Sequence, residues 1–339
     1  MLDGIKIIDL TTLLPGPHVT SRLLELGATV IKAEPPGGDL ARYSGPKTHD
    51  GVGLVFEFYR SGKVLDSLDL KNDAHRTRFF SWIKEADVLI QGFRPGVATR
   101  LGIDYPALHP LNPRLIYCAL TGYGQTGPLA EAAGHDINYQ ALSGLLSQCL
   151  DVKGTPFLPT IPWADLFGAH AAVEAILAAL VERANTGLGQ FLDIAMTGTL
   201  RQLLRLHDAI DITTGFTRGI EELTGQSVCY HLYQTGDQRW MALGALEPKF
   251  WTTFCHGIDH PEWISQQWSS AVRGNPVFDD LVTIFQAQRQ TVWTTWGQAW
   301  DCCLTPVLSL EEARDIFSLR LPSTTELLHR TNERSVPDS

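Results

Sequence analysis

Three side chains in this sequence have a type and a setting suited to moving a proton. His135 sits in Gly134-His135-Asp136-Ile137-Asn138-Tyr139, where a glycine-led turn could hold its imidazole as a base, although a lone histidine is more often packed or hydrogen-bonded. Asp165 is a carboxylate in the first turn of an otherwise apolar stretch. The ordinary use of such an acid is to satisfy free N–H groups and the helix dipole, worth on the order of 1 kcal/mol. Glu247 precedes Pro248 in Gly244-Ala245-Leu246-Glu247-Pro248, where an acid commonly opens a helix. A second set could neutralise an anion. Arg60, Lys63, Lys71, Arg94 and Arg100 fall near the ends of early elements, where parallel α/β sheets hold ligands; any one alone is ordinary surface charge.

Positioning these groups calls for a parallel α/β frame. Residues 5–10 read as a strand, 19–26 as a helix and 28–33 as a second strand ending at Glu34. Further strands are predicted over 64–70, 88–91 and 115–120, with a helix over 74–86. A very apolar helix over 164–185 stops at Thr186-Gly187-Leu188-Gly189, and 190–194 returns as a strand. After Met196 a less periodic linker runs to Gln226. Strands over 230–233 and 239–243 then flank the turn Thr235-Gly236-Asp237-Gln238, and helices follow from Pro248. Trp263, Trp268, Trp293, Trp296 and Trp300 are expected in a core or an interface.

Glu34 stands where a ribose-binding acid would close a dinucleotide fold, but the first turn, Leu13-Leu14-Pro15-Gly16-Pro17, lacks the second and third glycines. The literal G-x-G-x-x-G at Gly122–Gly127 runs into Pro128 and has no acid about 20 residues on, so it reads as a close backbone approach.

The 339 residues are 44% hydrophobic, enough for a core and for about two domains, and disorder is excluded as the main state. A net charge of −10 opposes binding to nucleic acid or an anionic membrane, while leaving room for a small anion held by local cations. Six cysteines without a CxxC pair or a histidine cluster give no metal site and read as reduced thiols. The start MLDGIKIIDL is unlike a signal peptide, and the apolar run 166–181 is too short to span a bilayer. A cytoplasmic protein is expected.

Ten stretches, in one order over about residues 1–315, resemble the family III CoA-transferase superfamily, and most of all its alpha-methylacyl-CoA racemase branch. They include LPGPH at 14–18, EPPGGD at 34–39, LDLK at 68–71, ADVLIQGFRPGVATRLGI at 86–103, NPRLIYCALTGYGQTGP at 112–128, GHDINYQALSG at 134–144, WADLFG at 163–168 and GALEPKFW at 244–251. The resemblance implies an α/β fold and an interlocked homodimer. Its Rossmann-like large domain comes from both chain ends, 1–195 and 305–339; a linker covers 196–228 and a small α+β domain covers 229–304. It implies an acyl-CoA substrate, with coenzyme A as part of the substrate, no prosthetic group and no metal. The CoA contacts carry over onto Leu68, Asp69, Leu70 and Lys71, onto Gly92, Phe93, Arg94 and Arg100, and onto Gly134, His135, Asp136, Ile137, Asn138 and Tyr139. Where racemases of the family can place an arginine after the strand-end acid, this chain has Pro35.

Two mechanisms share that scaffold. As a racemase or epimerase of a 2-methyl-branched acyl-CoA, His135 and Asp165 flank the acyl α-carbon. One removes a proton, the other returns it to the opposite face of an enolate, and Glu247 of a partner chain orients the pair. The start of the Asp165 helix is expected to supply N–H groups to the enolate oxygen. As a CoA-transferase, Asp165 attacks the thioester as a nucleophile, and no second base is required. A third reading is a degenerate protein that only binds CoA esters, suggested by GQSVCY at 225–230 in place of a racemase-like GGAPFY and by a C-terminus short for the family.

Overall fold

In the computed structural model, which describes residues 1–151 and 153–317, the chain divides into two compact units. The first covers Met1–Arg205. Its six strands are β1 (Lys6–Asp9), β2 (Thr29–Glu34), β3 (Val64–Ser67), β4 (Val88–Gln91), β5 (Ile116–Thr121) and β6 (Phe191–Ala195). They lie in the order β3-β2-β1-β4-β5-β6, all parallel, with Ile7 facing Val30 on one side and Val88 on the other. The direction of winding therefore reverses between β1 and β4, where the loops leaving the strand ends part and open a crevice.

Near-continuous apolar strands require cover on both faces, and successive residues supply it. Ile7, Val88, Ile90, Ile116 and Cys118 pack under the helices Pro15–Glu25 and Trp163–Thr186, while Ile8, Leu89, Tyr117 and Ala119 pack against Phe79 and Ile83 of the helix Asp73–Glu85. Ala164, Gly168, Ala172, Ile176, Ala179 and Arg183 form the buried stripe of the Trp163 helix at spacings of three and four. Its 24 residues, with a window of mean hydropathy 1.6, are by length and composition alone enough to cross a membrane, so the apolar run is longer than residues 166–181. Arg183 closes the stripe by donating to Asp87 Oδ1 at 2.8 Å.

The second unit begins at Leu206. Strands β7 (Tyr230–Gln234), β8 (Trp240–Gly244) and β9 (Leu304–Pro306) form an antiparallel sheet in that order, backed by Trp251, Phe254, Phe285 and Trp293. Trp263 and Trp293 are buried in this core, whereas Trp268 and Trp300 are exposed. Residues 305–317, expected with the large domain, stay here: β9 pairs with β8, and Arg239 holds Glu312 through both guanidinium nitrogens, at 2.7 and 2.6 Å. Residues 318–339 lie outside the described residues. The six cysteines are unpaired, and thirteen α-helices occur among the described residues.

A buried charge cluster shapes the end of β1. Asp9, with no exposed surface, lies 3.7 Å from Lys32 Nζ and 3.5 Å from Lys63 Nζ. It accepts the Thr11 N–H at 2.9 Å, the Thr11 hydroxyl at 2.5 Å and the Thr20 hydroxyl at 2.6 Å. Burial alone would push this carboxyl up, but the two ammonium groups and the hydroxyls outweigh it and hold the carboxyl below its usual range. Lys32 also reaches Asp39 at 3.3 Å, and Asp39 Oδ1 accepts the Leu13 N–H at 2.9 Å. Removing Asp9 leaves the buried Lys63 ammonium without its carboxylate and Lys32 with Asp39 alone. Asp9→Ala is therefore expected to cost about 3–5 kcal/mol in urea unfolding; a loss under about 1 kcal/mol would show that the cluster is not held by this carboxylate.

Candidate active site

Three strand ends and two helix starts enclose a cavity of about 280 Å³ in the first unit. The turn after β1 contributes Thr11, Thr12 and Leu13, the end of β4 contributes Gly92 and Arg94, and the end of β5 contributes Thr121, Gly122 and Tyr123. His135, Tyr139 and Asp165 complete the wall. The β1 turn keeps its shape through the Asp9 cluster: Leu13 stands at φ +66°, and a Cβ on Gly16 would fall 2.2 Å from the Thr11 side chain. Gly16 therefore serves close packing, not phosphate approach.

Tyr139 explains the glycine-rich turn. A Cβ on Gly122 would lie 2.2 Å from its ring and one on Gly134 2.7 Å from it, so both glycines make room for this aromatic side chain. Its hydroxyl donates to the Gly134 carbonyl at 2.5 Å, fixing the backbone just before His135. His135 is the N-cap of the helix Asp136–Ser143, its own N–H bonded to Asn138 Oδ1 at 3.0 Å, and its side chain is exposed toward the cavity.

Asp165 is the third residue of the Trp163 helix, half-buried in the same cavity. Burial, and then the negative charge of Asp136, push its carboxyl up to about 7. Tyr139 is raised to about 12, by burial first and then by Asp165. Asp165 is not used as an N-terminal cap. The N–H groups of Ala164 and Asp165 go instead to Asp136 Oδ1, at 2.8 and 3.2 Å. This corrects the expectation that those donors serve an enolate oxygen. At the start of the Asp136 helix, the N–H groups of Asn138 and Tyr139 turn back to the His135 carbonyl. The first-turn donors of Asp136 and Ile137 remain.

The other expected contacts divide. Leu68, Asp69, Leu70, Lys71 and Phe93 line a neighbouring cavity of about 200 Å³ with Leu10, Ala33 and Pro35, and Thr12 borders both cavities. Gly134 lines the first cavity with His135. Arg100, Asp136, Ile137 and Asn138 line neither cavity, Arg100 standing exposed on the short helix Val97–Leu101. Glu247 belongs to the second unit, exposed at the N-cap of the helix Pro248–Gly257. Of the candidate cations, Arg60 is paired with Glu57 at 2.6 Å and Lys63 is buried against Asp9, so neither is free for an anion. Glu34 is held by two hydrogen bonds from Arg42, each 2.6 Å, and is not available as a ribose ligand. Thr11 and Thr12 were not singled out in the sequence; the turn Leu13–Pro17 beside them was the available signal.

A family model described as CoA-transferase family III matches residues 2–334. The alpha-methylacyl-CoA racemase of Homo sapiens is 32% identical over 321 residues, spanning 92% of this chain and 78% of that enzyme. The acetyl-CoA:oxalate CoA-transferase of Acetobacter aceti is 43% identical over 201 residues, 58% of this chain and 51% of that enzyme. A crystal structure of a CAIB/BAIF family protein from Brucella suis superposes with a TM-score of 0.81 at 26% identity, covering 94% of this chain and 86% of that one.

A raised acid makes stability fall as pH climbs, because between its unfolded and folded pKa only the native state keeps the proton. Stability from Asp165 is complete below about 4 and is lost as pH rises through about 7. Asp165→Asn, which mimics the neutral form, should melt roughly 2–4 °C higher than the wild type at pH 8 and by a clearly smaller margin at pH 5. The shift at pH 8 is what about 1 kcal/mol gives at this size, discounted because the carboxyl faces solvent. An equal offset at both pH values would contradict the raised acid.

Proposed function

The chain belongs to CoA-transferase family III, and on that premise we propose that it is an acyl-CoA racemase or epimerase, moving the α-proton of a 2-methyl-branched acyl-CoA thioester through an enolate. The observation that carries this reading is one cavity lined by His135 and by an Asp165 carboxyl raised to about 7. General acid–base catalysis works best when the group's pKa lies near the working pH, since the same carboxyl can then both take and return a proton. An acyl-transfer nucleophile needs the ionised carboxylate. Burial and the adjacent Asp136 oppose ionisation, which disfavours the CoA-transferase alternative.

In the proposed reaction the thioester acidifies the α-C–H. His135 and Asp165 act from opposite faces, one as base and the other as acid. The charge that develops on the thioester oxygen lies near the positive end of the Asp136 helix, which begins beside His135 of the cavity wall. The groove at the β1/β4 reversal carries the CoA arm: the apolar cavity of Leu10, Ala33, Leu68 and Phe93 suits a flat base, and Lys71 and Arg94 suit phosphates. Coenzyme A is part of the substrate, and no prosthetic group is invoked.

In deuterated water a 2-methyl-branched acyl-CoA should exchange its α-proton while losing configuration, without passing CoA to a free carboxylic acid. CoA transfer through an adduct on Asp165, with no α-exchange, would establish the transferase instead.

We also propose a working homodimer in which Glu247 of one chain serves the cavity of the other; family membership supports this. Asp165→Asn and Glu247→Ala homodimers are each expected to be inactive. The mixed dimer should regain about half the wild-type rate, since one of its two sites is whole. A mixed dimer as inactive as its parents would place Glu247 in its own chain's site, and an active Glu247→Ala homodimer would place it outside the reaction.

A further inference from the structure

The carboxylate of Asp136 is engaged at both oxygens, and neither bond points to a ligand. Oδ1 takes the N–H groups of Ala164 and Asp165, 28 and 29 residues away in sequence, and Oδ2 takes Gln140 Nε2 one turn along its own helix. The Trp163 helix has no local alternative. Its N-cap is Pro162, whose side chain makes no capping bond, whereas Ser, Thr, Asp or Asn there would have satisfied these donors without involving another segment. The cap is supplied from the residue that follows His135. One side chain thus joins the backbone carrying the candidate base to the first turn carrying the candidate acid.

We propose that Asp136 is a positioning residue: its carboxylate clamps the start of the Asp165 helix to the His135 turn and sets a fixed negative charge beside the Asp165 carboxyl. This rests on the reading of His135 and Asp165 as the acid–base pair. It replaces the ligand-contact role implied by the resemblance, for which a carboxylate is poorly suited, since it would repel the phosphates of CoA and has no free oxygen. The titratable and charged groups lining the cavity with Asp165 are His135, Tyr123, Tyr139 and Arg94. From the packed helices, Arg201 donates to the Ser143 carbonyl at 3.0 Å, and His18 packs on His170. Asp136 is the acidic member of this set and acts on Asp165 in the same direction as burial.

Two variants of the full chain separate the clamp from the charge. Asp136→Asn keeps an oxygen for the two N–H groups and removes the charge; Asp136→Ala removes both. Carbon-detected NMR of the ligand-free protein, with the Asp165 carboxyl identified by its loss in Asp165→Asn, should give a midpoint about 1 pH unit lower in Asp136→Asn than in the wild type. The acidic limb of the racemisation profile should move with it. In Asp136→Ala, kcat should fall roughly 10- to 100-fold with KM for the acyl-CoA within about twofold, as expected when reacting groups drift by an ångström or less. An unmoved Asp165 midpoint in Asp136→Asn, or a tenfold rise in KM with kcat retained, would overturn the proposal. A lowered midpoint in a protein that racemises nothing would sustain the fixed charge beside Asp165 and remove only the racemase reading.

Discussion

The architecture of the first unit depends on one buried charge that is fully matched. Asp9 ends the central strand with no exposed surface, and an isolated carboxylate there would cost more than the fold can supply. Lys32 from β2 and Lys63 beside β3 bring the compensating charges, so three neighbouring strands are tied at the same height. The hydrogen bonds from Thr11 to Asp9 and from Leu13 to Asp39 then carry that order into the turn that forms one wall of the cavity. The wall is therefore rigid without glycine-rich phosphate-binding geometry.

Across the cavity, Asp165 has the opposite environment. Two carboxylates of one unit are withdrawn from the surface, Asp9 fully and Asp165 in part. The first is surrounded by ammonium and hydroxyl groups and stays ionised; the second has Asp136 for a neighbour and is pushed toward neutrality. Such divergence separates structural from chemical carboxylates. The crevice between β1 and β4 places them within one layer of the fold, so the matched charge supports the wall that the unmatched one faces.

Much of this was legible in the sequence. Apolar patterning located β1 to β8 to within a few residues and missed the three-residue β9, and the glycine stop after residue 186 located the end of the long helix. The first helix begins at Pro15, before the expected 19, because proline at its first position starts it without a capping side chain. The helices Leu54–Arg60 and Asp136–Ser143 were missed: the first mixes aromatic and charged residues without a clear stripe, and the second is short and polar at its start. His135 and Asp165, paired in the sequence reading as acid and base, line one cavity. Lys63, one of the candidate ligand cations, is buried against Asp9, and Asp136, a contact implied by the resemblance, has its carboxylate bonded within the fold; a charged residue looks the same in sequence whether its partner is a substrate or a group dozens of residues away.

The central claim is that His135 and Asp165 address opposite faces of one α-carbon. Its most direct test follows α-proton exchange of each separate stereoisomer of a 2-methyl-branched acyl-CoA in deuterated water, with His135→Ala and with Asp165→Asn. Each variant should retain exchange of one stereoisomer without inverting it, and the two variants should retain opposite stereoisomers. Loss of exchange for both stereoisomers in one variant, with both retained in the other, would contradict the two-face arrangement.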